Sequence, residues 1–295
     1  MITFKNDIVN ESYIEVTHKS GLKILICEKP EYSSAYALFG TRYGSIDTTF
    51  KTKDEESFIT VPEGIAHFLE HKLFESEDGD AFTRYAKTGA YANAYTSFDR
   101  TCYLFSCSTN FEDSFRILLD FVQKPYFTEE TVQKEQGIIG QEIKMYEDSA
   151  PWRVFFNLLR AVYVNHPVRI DIAGTVESIA QIDAKLLHSC YHTFYNLNNM
   201  FLCVAGNIKA DEVLTIADEL IKDTAPIEIE REQLNEPSHV AQKVYEQRLE
   251  VAMPLFAIGY KEECPVPQKT VKQMVETDLL LEVLAGNFSP LYKRL

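Results

Sequence analysis

The sequence is short of most things that would set it apart from ordinary globular proteins. Twelve glycines and eleven prolines in 295 residues are too few for a fibrous or disordered chain. No apolar run approaches the roughly eighteen residues that a membrane span needs. The opening Met1-Ile2-Thr3-Phe4-Lys5-Asn6-Asp7 lacks the basic, apolar and small-residue regions of a secretory signal. Cysteine pairs of the CxxC kind are missing as well. The six cysteines (Cys27, Cys102, Cys107, Cys190, Cys203, Cys264) are scattered through apolar segments, so they read as reduced, buried hydrophobes of a cytoplasmic protein. Positive charge is scarce too. Twenty-nine basic residues against 44 acidic ones leave a net charge of -15, a field that disfavours nucleic acid and anionic membrane surfaces.

What is present is a folded pattern. Gly21-Leu-Lys-Ile-Leu-Ile-Cys27 and Ser34-Ala-Tyr-Ala-Leu-Phe-Gly40 are rich in β-formers and predict strands, with Pro30 between them. Asp47 to Pro62 is polar and reads as a loop, and a helix is expected from Pro62 onward. After a polar connection, 89–99 and 101–107 predict a β-hairpin. Helices are expected at 110–121, 128–146, 151–163, 182–194 and 210–222, with a strand at 200–206. The stretch 222–242 has little periodicity and reads as a linker, and 247–260 predicts another strand. The expected organisation is a full domain at 1–225, a linker at 226–242 and the N-terminal part of a second, similar domain at 243–295. With about 55 residues that second domain is too small for a core of the first one's size, and 291–295 reads as the middle of a helix, so the chain is expected to be a fragment of a longer one.

The chemistry concentrates in His67-Phe-Leu-Glu-His71. At about 100° per residue, His71 lies about 40° from His67 and Glu70 about 60° the other way, so the three share a helix face. Ile65, Leu69 and Leu73 fall opposite and can pack. Two imidazoles four residues apart suit one zinc ion, and the glutamate beside them is placed to take a proton from a water that the metal activates. The plain alternative is a helix with two surface histidines and a solvated carboxylate. A third ligand is offered by the helix at 128–146, where Glu135 and Glu142, seven apart, share a stripe with Val132, Ile138, Ile139, Ile143 and Tyr146. Carboxylates in an apolar stripe are costly unless paired or coordinated. Geometry alone does not say which glutamate ligates, and pairing of both with Lys or Arg is the alternative. His166-Pro-Val-Arg169 with Asp171 reads as a turn, and His188 and His192 as a solvated helix face. Phe105, Phe111, Phe115 and Phe121 read as core.

On these residues the sequence resembles the pitrilysin/insulysin/mitochondrial processing peptidase family, whose inverted H-x-x-E-H motif is matched by His67 to His71. Further likenesses are Gly64-Ile-Ala66, Gly89 to Ser97, Lys134-Glu-Gln-Gly-Ile-Ile139, Gly174-Thr-Val-Glu-Ser-Ile179, Tyr195-Asn-Leu-Asn-Asn-Met200 and Val204-Ala-Gly-Asn207. His71-Lys-Leu-Phe-Glu75 with Glu77-Asp-Gly-Asp80 is most like a bacterial, cytoplasmic, YmfH-like subgroup.

The resemblance implies an α+β fold, a mixed or antiparallel sheet with helices on one face, and one Zn2+ per chain. It makes His67, His71 and Glu142 the metal ligands, Glu70 the general base and Glu135 its support. Asn93, Ala94, Tyr95 and Thr96 become an edge strand that holds peptide by β-augmentation. The implied activity is a zinc metalloendopeptidase hydrolysing short unfolded peptides. A homologous subunit or a homodimer would complete a chamber whose far wall supplies an arginine and a tyrosine beyond this sequence. The competing function is a catalytically silent peptide-binding scaffold in a heterodimeric complex. Two departures stand out: the spacing from His71 to Glu142 is short for the family, read as a loop deletion, and Tyr292 and Arg294 lack the context of the family's arginine and tyrosine.

Overall fold

The computed structural model describes residues 1–77, 79–262 and 271–294, so Asp78 and Cys264 lie outside the described residues. The chain opens with strands β1 (Ile2–Asn6), β2 (Glu11–Thr17), β3 (Lys23–Glu28) and β4 (Ala35–Thr41). Short strands β5 (Thr49–Thr52) and β6 (Ile59–Thr60) precede helix α1 (Ile65–Leu73). The paired β7 (Glu75–Ser76) and β8 (Gly79–Asp80) lead into α2 (Ala81–Thr88). A hairpin of β9 (Tyr91–Thr96) and β10 (Thr101–Cys107) follows, then α3 (Phe111–Val122), α4 (Glu129–Asp148) and α5 (Ala150–Val162). The rest comprises α6 (Val176–Ile179), α7 (Ala184–Phe194), β11 (Met200–Gly206), α8 (Ala210–Leu220), β12 (Ile229–Arg231) and α9 (Val271–Ala285).

Seven strands form the main sheet in the order β1-β2-β3-β11-β4-β10-β9. All neighbours are antiparallel except β11 and β3. Strand side chains alternate between faces. One face therefore collects Ile24, Ile26, Ala37, Phe39, Tyr103, Phe105, Leu202 and Val204, all buried, against Phe115 and Leu118 of α3 and Val213 and Ala217 of α8. Each such phenylalanine or leucine contributes about 1.5–3 kcal/mol by leaving water. The other face carries half-exposed Leu25, Leu38 and Cys203. The expected α+β architecture, with a mixed sheet and helices on one face, is the one observed.

Several local expectations need correction. The connection before residue 89 contains α2, started by the Asp80 side chain accepting from the Phe82 N–H and stopped by Gly89 at φ 77. The loop at 47–62 contains β5 and β6, and β12, from the non-periodic stretch, completes a three-stranded sheet with them. Residues 247–260 form no strand, because no neighbouring strand pairs with their backbone. Of the cysteines, Cys102, Cys107 and Cys190 are buried, whereas Cys27 and Cys203 are half-exposed; all five are free thiols. Among the described residues no helix is long and apolar enough to cross a membrane.

Candidate metal centre

Helix α1 begins where two backbones touch. Gly64 caps it at φ 88, and a Cβ built there would lie 2.4 Å from the Ala173 carbonyl oxygen. Gly174, at φ 74, meets the Glu63 oxygen at 2.5 Å in the same way. Both positions demand glycine, for conformation and for space. Helix α1 then runs against β9, β10 and α4. It is more deeply enclosed than an amphipathic helix: Ile65 to Glu70, Lys72 and Leu73 are all buried, and only His71 is half-exposed. Surface histidines on a solvated helix, the plain alternative, are thereby excluded. The fully buried Lys72 ammonium is satisfied by the Glu75 carboxylate.

Helix α4 is fixed at its start by Thr128. Its hydroxyl accepts from the Thr131 N–H while the Thr131 hydroxyl accepts from the Thr128 N–H, a reciprocal cap worth about 1 kcal/mol. Glu129 and Glu130 complement the positive end of the helix dipole. Val132, Ile139 and Ile143 pack inward as the stripe predicts, but Ile138 is 48% exposed and lies off the buried seam. Glu135 and Glu142 face α1.

The imidazole Nε2 of His67 lies 3.7 Å from Glu142 Oε2, and that of His71 3.4 Å from the same oxygen. The edges of a tetrahedron built on zinc-ligand bonds are about 3.3–3.4 Å, so these spacings fit one tetrahedral ion. His67, His71 and Glu142 each offer a donor atom within 4.8 Å of the others. Glu135 does not join them; its Oε1 lies 3.0 Å from His71 Nδ1, the far side of that ring. A carboxylate in that position orients a ligating histidine and raises its basicity. Glu70 stands beside the donors, its Oε2 accepting from the Thr96 hydroxyl at 2.7 Å. His67 Nδ1 is buried without a hydrogen-bond partner among the described residues.

The electrostatics follow from this crowding. Burial, with His71 adding to it, lowers the His67 pKa to about 4, so that ring is neutral and its lone pair free. Burial also opposes charge on His71, but hydrogen bonds to Glu135 and Glu142 prevail and raise it to about 10. The Glu142 carboxyl is lowered to about 2 by the His71 hydrogen bond, against burial and with help from His67 and Tyr146. Burial raises Glu70, with Thr96 pulling the other way.

The remaining sequence candidates divide. Asn93 and Ala94 line a cleft of about 530 Å³ with Glu70, His71, Glu135, Phe74 and Phe82. Their strand, β9, forms the edge of the sheet, and the Ala94 N–H donates to Asn93 Oδ1 at 2.9 Å. Thr96 contacts Glu70, whereas Tyr95 is 41% exposed and is not among the cleft-lining residues. His166 caps a turn at Pro167–Arg169, and His188 and His192 are exposed. Sequence reasoning placed Tyr146 in an apolar stripe and missed its bond to Glu142 Oε1, 2.8 Å. The i,i+4 spacing of the two was the available signal. No sequence signal pointed to Trp152, which stacks on Tyr146.

The fold and donor set define an α+β domain carrying an inverted H-x-x-E-H motif, His67 to His71, whose side chains could hold a metal with Glu142. Residues 60–176 match the insulinase (peptidase family M16) domain and residues 181–295 the peptidase M16 inactive domain. The chain is 45% identical over 281 residues to the uncharacterized zinc protease YmfH of Bacillus subtilis, covering 94% of this chain and 66% of that protein. A solved structure described as an M16-like peptidase from Alicyclobacillus acidocaldarius superposes with a TM-score of 0.84 at 38% identity, over 96% of this chain and 67% of that one. Pitrilysin shares the fold, with a TM-score of 0.60 at 18% identity, over 73% of this chain and 23% of its own. The chain belongs to peptidase family M16. It spans about two thirds of the length of the YmfH relative.

Proposed function

We propose that the chain is the metal-binding part of a zinc metallopeptidase that cleaves short, unfolded peptides. The observation that carries this reading is the convergence of His67, His71 and Glu142, with Glu142 Oε2 3.7 and 3.4 Å from the two imidazoles and all three donors within 4.8 Å of one another, and Glu70 beside them. In this reading His67, His71 and Glu142 hold the ion, and Glu135 steadies His71. Zinc bound there supplies Lewis acidity, polarising the scissile carbonyl and acidifying water. Glu70 is the proton carrier. Its burial makes the carboxylate more basic than an exposed one, so the ionised Glu70 can accept a proton from the attacking water and, once protonated, pass it to the leaving amine. Thr96 holds the carboxylate in place for that transfer.

Substrate would add to the exposed edge of β9 as a further strand. Backbone pairing there gives affinity with little dependence on sequence, and Asn93 Oδ1 would yield the Ala94 N–H to the peptide. Glu70 and β9 are joined through Thr96, so the same strand aligns peptide and base. The domain division proposed is 1–225 for the catalytic unit, 226–242 for the linker and 243–295 for the start of a similar unit, with a homologous subunit or second copy completing a chamber.

The test is hydrolysis of an unstructured, fluorogenic peptide by the purified chain, with metal analysis alongside. Expected are about one zinc per chain, turnover that a chelator abolishes, and a Glu70→Gln variant that keeps zinc and loses turnover. A chain that purifies without zinc would favour the silent scaffold, and undiminished turnover in Glu70→Gln would refute the assigned base. A chain that holds zinc yet turns over only beside a second subunit would mean that the chamber is needed for activity.

A further inference from the structure

Glu142 has two oxygens, and the structure treats them differently. Oε2 faces both imidazole Nε2 atoms, at 3.4 and 3.7 Å, while Oε1 accepts from the Tyr146 hydroxyl at 2.8 Å. Tyr146 lies one helical turn further along α4 and is half-buried. Its ring is itself held: Trp152 of α5 stacks on it, with centroids 4.4 Å apart and planes 16° from parallel. The Trp152 indole N–H donates to Asp171 Oδ2 at 2.6 Å, and Asp171 Oδ1 accepts from the Ala173 N–H at 3.1 Å. Ala173 and Gly174 are the residues whose backbone abuts Gly64 at the start of α1.

We propose that Tyr146 is a positioning residue that keeps Glu142 a one-oxygen ligand, and that Trp152 and Asp171 hold Tyr146 in register with α1. The inference rests on the metal-site reading above. A carboxylate free to rotate can present both oxygens to a cation, which raises the coordination number and takes up the position that a substrate or water needs. A hydroxyl bound to Oε1 opposes this, because rotating the carboxylate to bring Oε1 to the metal distorts that hydrogen bond. The loop at 171–174 then serves both ligand helices. It touches the first turn of α1 through glycine backbone and reaches the last turns of α4 through Trp152 and Tyr146. His67 and Glu142, 75 residues apart, are set against one common support.

The experiment measures metal binding in the full 295-residue chain, independently of turnover. Zinc affinity is read by competition with a chromophoric chelator, and coordination by the visible absorption of the cobalt-substituted protein. Tyr146→Phe keeps the stacked ring and removes only the hydroxyl. Its zinc affinity is expected to fall about 10- to 100-fold, with weaker cobalt bands as coordination expands. Trp152→Phe, which keeps an aromatic ring and deletes the indole N–H, is expected to shift both readouts the same way by less. Near-UV circular dichroism checks that each variant is folded. A Tyr146→Phe affinity within about twofold of wild type, with superimposable cobalt spectra, overturns the proposal while leaving the metal site standing. An unchanged Trp152→Phe overturns the support assigned to Trp152 and Asp171. A wild-type chain with no zinc overturns the metal-site reading and this inference together.

Discussion

Three glycine-to-alanine substitutions separate what conformation costs from what contact costs at the entry to the metal helix. Gly64 and Gly89 both sit in the left-handed region, at φ 88 and φ 77. A Cβ at Gly89 meets nothing within 4 Å, so Gly89→Ala bears the conformational penalty alone, about 1 kcal/mol. At Gly64 the added carbon would fall 2.4 Å from the Ala173 oxygen and 2.8 Å from its carbon. Those are main-chain atoms with no rotamer to escape into, so either the 173–174 backbone or the first turn of α1 must move. Overpacking of that kind costs a further 1–3 kcal/mol or so, giving about 2–4 kcal/mol for Gly64→Ala. Gly137, exposed within α4 and with open space around it, provides the opposite sign: alanine there is expected to stabilise by about 0.5–1 kcal/mol. Urea denaturation with a common m-value reads all three. Because His67 lies three residues after Gly64, Gly64→Ala is also expected to weaken zinc binding, and Gly89→Ala to leave it unchanged. If Gly64→Ala and Gly89→Ala agree within about 0.5 kcal/mol, the contact argument is wrong.

Two further substitutions probe the surroundings. Thr96→Val removes the hydroxyl that holds Glu70; losing a hydrogen bond to a charged group costs about 1.5–3 kcal/mol, so peptide turnover is expected to drop about 10- to 100-fold at constant zinc content. Unchanged kcat/KM in that variant would show that Glu70 needs no such tether. Glu236 accepts from the N–H groups of Val164, Asn165 and His166 and pairs with Lys261. Burial opposes its charge, but Lys261 and the three N–H groups hold its carboxyl down at about 2. A depressed carboxyl stabilises the fold above the ordinary carboxylate range and loses that contribution as pH falls towards 2. Glu236→Gln is therefore expected to cost about 1–2 kcal/mol at pH 7 and clearly less at pH 3. An equal cost at both pH values contradicts the assignment.

The candidate metal centre was legible because its signals are local. His67, Glu70 and His71 lie within one helical turn and a half, and Glu135 and Glu142 on one stripe of another helix, so spacing alone brings each set to a face. Spacing could not say which glutamate meets which imidazole, since that depends on how α1 crosses α4; only the family resemblance pointed to Glu142. The strands at 200–206 and 101–107 carried continuous apolar runs and were read closely. By contrast β5, β6 and β12 are two to four residues long, too short for a period to register, and β12 pairs with β5 across 177 positions or more (Thr52 with Ile229), which no local window contains. The helix α2 had its start and stop signals, Asp80 and Gly89, but only Ala81, Tyr85 and Thr88 face inward, too few to register as a periodic pattern. The burial of Lys72 was invisible for a related reason: Glu75 answers it from beyond the helix end.

The strand order has a consequence in time. β3 and β4 follow one another in the chain, yet they do not pair; β11 lies between them and bonds to both. On a ribosome adding about 5–20 residues per second, β4 is complete on the order of ten seconds before Gly206 is made. From the completion of β10 at Cys107 until β11 is made, the strands available can form only two three-stranded pieces, β1-β2-β3 and β4-β10-β9, each with an open inner edge. The helix bearing His67 packs on β9 and β10, and the edge strand bearing Thr96 lies in the second piece, so a nascent chain holds the parts of its candidate site before β11 can close the sheet beneath them.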